Sequence, residues 1–307
     1  MFIVTYVIQP CTSRRDAAQK ERAMTTPTVF KSDAGRQALF DFYDSVLAQW
    51  PVDYETCTVL TPFGSTHVIV AGDSARPPMI LLHGASSNAV TWAGDVATYA
   101  AHYRVYAVDL IGDAGKSAPT RPPYTGSAFA DWLDAVRRGL GLDTVALVGL
   151  SLGGWVALKY AITYPAHVAA LVLLAPGGIT PHRDGFFLRM LPLFLLGKWG
   201  QRRAVQMLFA DVPLPEGVVE GTTLIWRHFI PRRDKLPLFS DDELATLTMP
   251  VLMLIGEKDG LFDAAATAAR LHQCIPQVQT HINPGVGHAI VNTAPQVMPF
   301  LLTVPEN

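Results

Sequence analysis

The chain has 307 residues, of which 50% are hydrophobic and only 16% are charged, so it can fill a sizeable apolar core. Its formal net charge of −2 argues against a nucleic-acid surface or a polybasic membrane patch. The three cysteines, Cys11, Cys57 and Cys274, are odd in number and far apart, which argues against a disulfide framework and makes a reducing cytoplasm the default location. No apolar run reaches the roughly 18 residues that a membrane span needs.

Residues 1–23 differ in character from the segments that follow. A short apolar run leads into a charged stretch, without the basic start or the small-residue cleavage site of a signal peptide. Met24 then begins a segment that reads like an ordinary protein start. Residues 1–23 are therefore predicted to be a disordered or non-native N-terminal extension.

Short apolar runs alternate with segments of helical spacing along most of the chain. The predicted strands are residues 54–60, 67–71, 79–82, 103–110, 145–148, 169–174, 251–255 and 278–282. The predicted helices are residues 32–50, 92–101, 127–140, 152–164 and 264–271, followed by a last helix at Thr293, which has capping-box spacing with Gln296. This alternation predicts an α/β protein with a mostly parallel central sheet and helices on both faces. The pattern stops at Pro176, and residues 177–247 read as several short helices.

Residues 149–153, Gly-Leu-Ser-Leu-Gly, match the pattern G-x-S-x-G between a predicted strand and a predicted helix. An immediate strand-to-helix turn strains the central residue, and side chains two positions away on either side would collide. The turn lifts the Ser151 hydroxyl clear of the backbone at a helix N-terminus, where the Leu152 amide can meet a developing oxyanion. We therefore predict Ser151 as a nucleophile; the alternative is a glycine-rich turn with a capping serine.

This elbow and its setting resemble the α/β-hydrolase family, over about residues 54–303. Residues 109–112, Asp-Leu-Ile-Gly, are similar to the family's turn after the fourth strand, and the loops at 109–116 and 149–155 resemble those of bacterial carboxylesterases. The resemblance implies an α/β-hydrolase core formed by residues 24–176 and 248–307, with residues 177–247 as an inserted helical cap. The alternative for the insertion is a solvated helical subdomain with no part in chemistry.

A serine nucleophile needs a base within hydrogen-bond reach and a carboxylate that holds the base. In the family the chain order is serine, acid, histidine. His288, in a glycine loop after the last predicted strand, is assigned as the base. Asp259, after the strand at 251–255, is assigned as the acid. Asp263 is the second choice and is expected to cap the next helix, while Glu257 is expected to point away.

The second oxyanion donor is expected in the loop after the third predicted strand. His83 and Gly84 resemble the family's His-Gly signature, which implies the Ala85 amide as the partner of the Leu152 amide. The family often has further glycines here, and their absence weakens the case for bulky tertiary-alcohol esters. His83 itself is read as structural.

Two other kinds of site are not supported by the sequence. Residues 112–117 superficially resemble a phosphate-binding loop, but Leu110 stands where its first glycine is required. No HExxH, CxxC or clustered His and Asp spacing suggests a metal, so no cofactor is expected.

The predicted activity is hydrolysis of a small or medium carboxylic ester through a Ser-His-Asp acyl-enzyme mechanism. A serine at the elbow argues against haloalkane dehalogenase and epoxide hydrolase chemistry, for which family members use aspartate. Lactonase, carbon–carbon hydrolase, perhydrolase and aminopeptidase activities stay open, as does a ligand-binding, receptor-like protein that retains the triad. The expected partner is a small-molecule ester and not a nucleic acid, and the sequence leaves the oligomeric state open.

Overall fold

The structure is a computed structural model that describes residues 28–183 and 185–304. The predicted N-terminal extension at residues 1–23 lies outside the described residues. In the part of the chain that is described, no helix is both long enough and apolar enough to cross a membrane.

A sheet of eight strands runs through the centre of the described chain, in the order β1-β2-β4-β3-β5-β6-β7-β8. The strands are β1 (Tyr54–Thr61), β2 (Gly64–Ala71), β3 (Pro78–Leu82), β4 (Arg104–Val108), β5 (Val145–Leu150), β6 (Val168–Leu174), β7 (Val251–Gly256) and β8 (Gln279–Asn283). Strand β2 is antiparallel to both β1 and β4, and the other pairs are parallel. The predicted mostly parallel sheet is therefore confirmed.

Helices cover the sheet and connect its strands. They are α1 (Asp33–Leu47), α2 (Val96–Ala100), α3 (Ala128–Gly139), α4 (Leu152–Thr163), α5 (Gly185–Met190), α6 (Gly197–Phe209), α7 (Glu216–His228), α8 (Asp241–Ala245), α9 (Ala264–Cys274) and α10 (Ala294–Leu301). Short 3₁₀ helices lie at Ala89–Gly94, Pro165–His167 and Leu191–Leu196. The single helix predicted at 92–101 is thus wrong in detail. A 3₁₀ helix and α2 meet at Asp95, next to Gly94, where a β-carbon would lie 2.4 Å from Oδ1 of Asn292.

The central strands β5, β6 and β7 are buried along almost their whole length, whereas β8 at the edge is largely exposed. This follows from the helices, which shield a parallel sheet on both faces and make its inner strands continuously apolar. The carboxyl ends of parallel strands lie at one edge, where the loops after them converge. The loops after β3, β5, β7 and β8 therefore meet at that edge.

Helix α4 is fixed to its surroundings from two sides. A buried ion pair joins Arg137 to Asp134 on α3, at 2.9 Å, and the hydroxyl of Tyr160 on α4 joins the same carboxylate. At its start, Gly153 packs against β3 so closely that a β-carbon there would lie 2.2 Å from the Leu82 carbonyl oxygen. The first turn of α4 is therefore locked against the end of a neighbouring strand.

Between β6 and β7 the chain leaves the sheet and forms α5 to α8 together with one 3₁₀ helix. No strand of the sheet falls within the described part of this segment. Its contacts with the rest of the chain include isolated bridges of Phe229 with Phe30 and of Ala210 with Val286.

The space around two helical glycines, Gly153 in α4 and Gly217 in α7, predicts opposite effects of a substitution by alanine on stability. Gly153→Ala should lower the free energy of unfolding by about 3 kcal/mol, because the new methyl group meets strand backbone that cannot move aside. Gly217, in the first turn of α7, has open space around its α-carbon. Gly217→Ala should therefore raise the free energy of unfolding by up to about 1 kcal/mol through helix propensity. Urea unfolding measures both, and equal effects would contradict the prediction.

Candidate active site

Ser151 occupies the turn between β5, which ends at Leu150, and α4, which begins at Leu152. Its φ of 52° and ψ of −106° are a conformation that a residue with a side chain adopts at a cost of about 1–3 kcal/mol. Two contacts hold it there. The Ser151 amide donates to the Leu174 carbonyl oxygen at 2.8 Å, and the Ser151 carbonyl oxygen accepts from the Gly177 amide at 3.1 Å.

The structure brings Ser151, Asp259 and His288 together in one hydrogen-bonded series. Nε2 of His288 lies 2.9 Å from Oγ of Ser151, and Nδ1 of His288 lies 2.9 Å from Oδ2 of Asp259. Asp259 is 2% exposed and His288 is 7% exposed. Within the described ranges, no group of three or more His, Cys, Asp or Glu side chains could hold a metal ion.

The second oxygen of Asp259 is occupied by its own loop. Oδ1 accepts from the amides of Leu261 at 2.7 Å and Phe262 at 3.0 Å, which leaves Oδ2 for the imidazole. A carboxylate accepts only, so Nδ1 of His288 carries the hydrogen of this bond and the Nε2 lone pair faces the Ser151 hydroxyl. The Phe262 ring packs against the imidazole with 5.4 Å between the ring centroids.

The two loops that carry Asp259 and His288 are braced against each other. A β-carbon at Gly256 would lie 2.2 Å from the Gly287 carbonyl oxygen, so the two backbones are in direct contact. Glu257, which was expected to point away, accepts from the Gly285 amide at 3.0 Å. It therefore contacts the backbone of the glycine loop before His288 and has no hydrogen bond to the imidazole itself.

Asp263 lies apart from the imidazole and caps α9, as its position before that helix predicted. Its Oδ1 accepts from the Ala266 amide at 2.9 Å, and its Oδ2 pairs with Arg183 at 2.5 Å. The Ala266 amide and, to a smaller extent, Arg183 lower the pKa of Asp263. The side chain is about half exposed and therefore differs from the buried Asp259.

The imidazole of His83 fixes the peptide that precedes Ala85. Nε2 accepts from the Leu110 amide at 2.9 Å, so the hydrogen of the neutral ring is on Nδ1, which donates to the Gly84 carbonyl oxygen at 2.8 Å. In a trans peptide the Ala85 N–H points opposite to that carbonyl. Gly84 adjoins the elbow, because a β-carbon there would lie 3.6 Å from Cβ of Ser151.

Two buried carboxylates that sequence reasoning gave no role also hold the loop after β3. Asp113 accepts from the Ser87 amide at 3.2 Å, and Asp109 accepts from the Ala89 amide at 2.7 Å. Burial raises the pKa of Asp113. Directly before these contacts Ser86 has a φ of 53°, so the loop is held in a strained turn. The Asp-x-x-Gly pattern marked Asp109, but no local signal marked its partner amide.

The start of α10 is held by Asp95, another residue that the sequence did not single out. Oδ1 of Asp95 accepts from the Ala294 amide at 2.7 Å, and burial raises the pKa of Asp95, opposed by the amides of α10 and of the residues just before it. The predicted capping box is wrong. The Thr293 side chain makes no cap bond, and the Gln296 side-chain oxygen accepts from Asn283. A distant carboxylate takes the place of the local cap.

Comparison with known proteins identifies the family. The model of the alpha/beta hydrolase family matches residues 79–298, and the chain belongs to this family. The resemblance and the fold class inferred from the sequence are both confirmed.

Similar proteins within this family indicate the type of hydrolase. Carboxylesterase YbfK of Bacillus subtilis is 31% identical over 269 residues, which cover 84% of this chain and 89% of the relative. The crystal structure of naproxen esterase from Bacillus subtilis has a TM-score of 0.78 and 28% identity, over 88% of this chain and 99% of that chain. The crystal structure of carboxylesterase CesB from the same organism has a TM-score of 0.76 and 27% identity, over 87% and 98%. The chain is therefore a carboxylesterase-like α/β hydrolase.

The role of Asp95 is testable by stability. Asp95→Ala should lower the free energy of unfolding by about 2–3 kcal/mol, because it leaves buried amides at the start of α10 without an acceptor. Asp73→Ala is the matched control, since Asp73 accepts one amide, that of Ala75, at 2.9 Å in an exposed turn. The control should cost less than about 1 kcal/mol. Urea denaturation measures the free energy of unfolding of both variants. A loss in Asp95→Ala as small as that in Asp73→Ala would contradict the anchoring role of Asp95.

Proposed function

We propose that this chain is a serine hydrolase that cleaves a carboxylic ester in two steps, through an acyl-enzyme on Ser151. The observation that carries the proposal is the hydrogen-bonded series from Oγ of Ser151 through the imidazole of His288 to Asp259, with 2.9 Å at each step. The carboxylesterase names of the relatives support an ester as the substrate.

In the first step, Nε2 of His288 takes the proton from Ser151 as Oγ attacks the ester carbonyl carbon. The resulting imidazolium lies against Oδ2 of Asp259 and is stabilised by it. When the tetrahedral intermediate collapses, the carbon–oxygen bond to the alcohol breaks, and the alcohol leaves with the proton from Nε2. Water then attacks the acyl carbon and loses a proton to Nε2; the carbon–Oγ bond breaks, Oγ receives that proton from Nε2, and the acid and a free Ser151 are released.

The amides of Leu152 and Ala85 are the proposed donors to the oxyanion. Leu152 is the first residue of α4, where backbone N–H groups have no acceptor within their own helix and the helix dipole is positive. The Ala85 N–H is directed by the bond from His83 to Gly84, on the side of the peptide away from His83. Rigid donors of this kind need no reorganisation as negative charge develops.

Residues 177–247 are the proposed cap over this site, with residues 24–176 and 248–307 as the catalytic core. Two contacts support this assignment. Nε1 of Trp155, one turn after Ser151, donates to the Pro237 carbonyl oxygen at 3.0 Å, and its ring stacks on Phe239 with centroids 5.7 Å apart. The inserted segment is therefore attached directly to the helix that starts at the elbow.

Labelling with a fluorophosphonate tests whether Ser151 is activated. The full chain should be labelled, and the label should disappear in Ser151→Ala, because the probe reacts with a hydroxyl that a base deprotonates. Mass spectrometry of the labelled peptide identifies the modified residue. An unlabelled chain would favour the ligand-binding alternative, and a panel of p-nitrophenyl esters, lactones and aminoacyl anilides separates the hydrolase classes.

The role of Asp259 is testable against a neighbouring carboxylate. Asp259→Asn should lower kcat for a p-nitrophenyl ester by about 10⁴, because the amide nitrogen can donate to Nδ1 and so favours the wrong tautomer of His288. Asp263→Asn is the control, since asparagine also caps helices well and Asp263 has no contact with His288. Its kcat should stay within about threefold of the parent. Equal losses in the two variants would remove Asp259 from the proposed mechanism.

A further inference from the structure

Half of the large apolar side chains that are exposed in the described chain lie within one stretch of twelve residues. We call this stretch the 188–199 surface. Its exposed members are Leu188, Leu191, Phe194, Leu195, Leu196 and Trp199. Leu195 is 88% exposed and Trp199 is 66% exposed. The remaining exposed apolar side chains are spread over several elements, and exposed apolar residues gathered in one patch mark an interaction site.

The 188–199 surface belongs to a packed segment. The Phe194 ring meets Trp226 of α7 edge-on, with centroids 5.3 Å apart, and Met190 and Ala204 of the same segment are buried. Gly200 lies against the Leu193 carbonyl so closely that no β-carbon would fit. The backbone is therefore held by buried contacts on one side, while the leucines and the tryptophan on the other side face solvent.

The charged side chains of the stretch that carries this surface are all basic. Residues 185–210 contain no Asp or Glu but contain Arg189, Lys198, Arg202 and Arg203. Arg202 pairs with Glu216 of α7, whereas the other three are exposed and have no ion pair within the described residues. The overall net charge of −2 hides this local contrast. Leucine and tryptophan next to Lys and Arg are the composition of segments that lie in a membrane interface.

The segment from Phe186 to Phe209, which includes the 188–199 surface, meets the loops of the candidate active site at both of its ends. At its start, the Phe186 ring packs where a β-carbon of Gly260 would be, directly after Asp259. At its end, the Phe209 carbonyl accepts from the Gly287 amide at 3.2 Å, directly before His288. The segment that carries the 188–199 surface is therefore attached on both sides of that surface to the loops that hold Asp259 and His288.

From these observations we infer that the 188–199 surface docks on an anionic lipid surface. The apolar side chains enter the interface, and Arg189, Lys198 and Arg203 contact negatively charged headgroups. A second copy of the chain fits less well, because a two-fold contact would bring the same basic side chains opposite one another without an acidic partner between residues 185 and 210. Docking does not depend on the proposed catalytic mechanism.

The test uses the full chain and large unilamellar vesicles in a flotation assay. One set of vesicles contains equal parts of phosphatidylglycerol and phosphatidylcholine, and the other contains phosphatidylcholine alone. We expect binding to the first set, weaker binding in high salt, and a blue shift of tryptophan fluorescence as Trp199 enters the interface. The Ser151→Ala variant should bind equally well, which keeps this result separate from the test of hydrolysis.

Two pairs of variants examine the surface itself. The double variant Leu195→Ser, Trp199→Ser should weaken vesicle binding by about tenfold for each residue. Its control is the double variant Leu60→Ser, Leu302→Ser, which changes two exposed leucines elsewhere. Lys198→Glu with Arg203→Glu should weaken binding by at least about 25-fold. Its control, Arg36→Glu with Arg76→Glu, changes the net charge equally and should bind like the parent. All these positions are exposed, and circular dichroism checks the fold.

The outcomes separate the possible occupants. Loss of vesicle binding in the surface variants and not in the controls supports the inference. Absence of binding, equal binding by all variants, or equal binding to both sets of vesicles overturns it. A dimer seen by light scattering that the surface variants abolish, without vesicle binding, assigns the surface to a second copy and also overturns it.

Discussion

The backbone at Ser151 is the constraint on which the rest of this site depends. A strand and a helix meet there without a connecting loop, so the residue between them takes a positive φ and the residues two positions away on either side, Gly149 and Gly153, must be glycine. This strained turn persists because β3 and β6 hold it from both sides. Gly153 contacts the end of β3, and the Ser151 amide bonds to the last residue of β6. The position of the hydroxyl is therefore a property of the whole sheet.

The loops around the elbow are irregular backbone in a largely buried environment, where each N–H needs an acceptor. Three aspartates other than Asp259 supply acceptors: Asp109 and Asp113 for the loop after β3, and Asp95 for the start of α10. Burial disfavours the charged form of Asp95 and Asp113 and raises the pKa of each. The free-energy cost of burying each carboxylate is offset by its hydrogen bonds to amides that would otherwise be unpaired. The geometry of the candidate active site thus rests on carboxylates that have no contact with its reacting atoms.

The insertion between β6 and β7 relates the site to the surface of the protein. Its first helix adjoins the loop of Asp259, its second helix ends beside the loop of His288, and Trp155 ties its later part to the elbow helix. A segment anchored at these points can present apolar side chains to solvent while its own underside stays packed.

The sequence by itself determined the features that depend on neighbouring residues. Apolar runs and helical spacing predicted the parallel sheet and most of the elements, and G-x-S-x-G predicted the turn at Ser151, because steric conflict within five residues dictates it. The family's chain order also assigned Asp259 and His288 as partners of the distant Ser151, but only the tertiary structure decided the other pairings across long separations. Asp95 reaches an amide 199 residues away, so the local capping box of α10 is not used. The helix expected at 92–101 likewise breaks where Gly94 meets Asn292. Such pairings depend on how the whole chain packs, and a local sequence pattern does not identify a partner that is distant in the sequence.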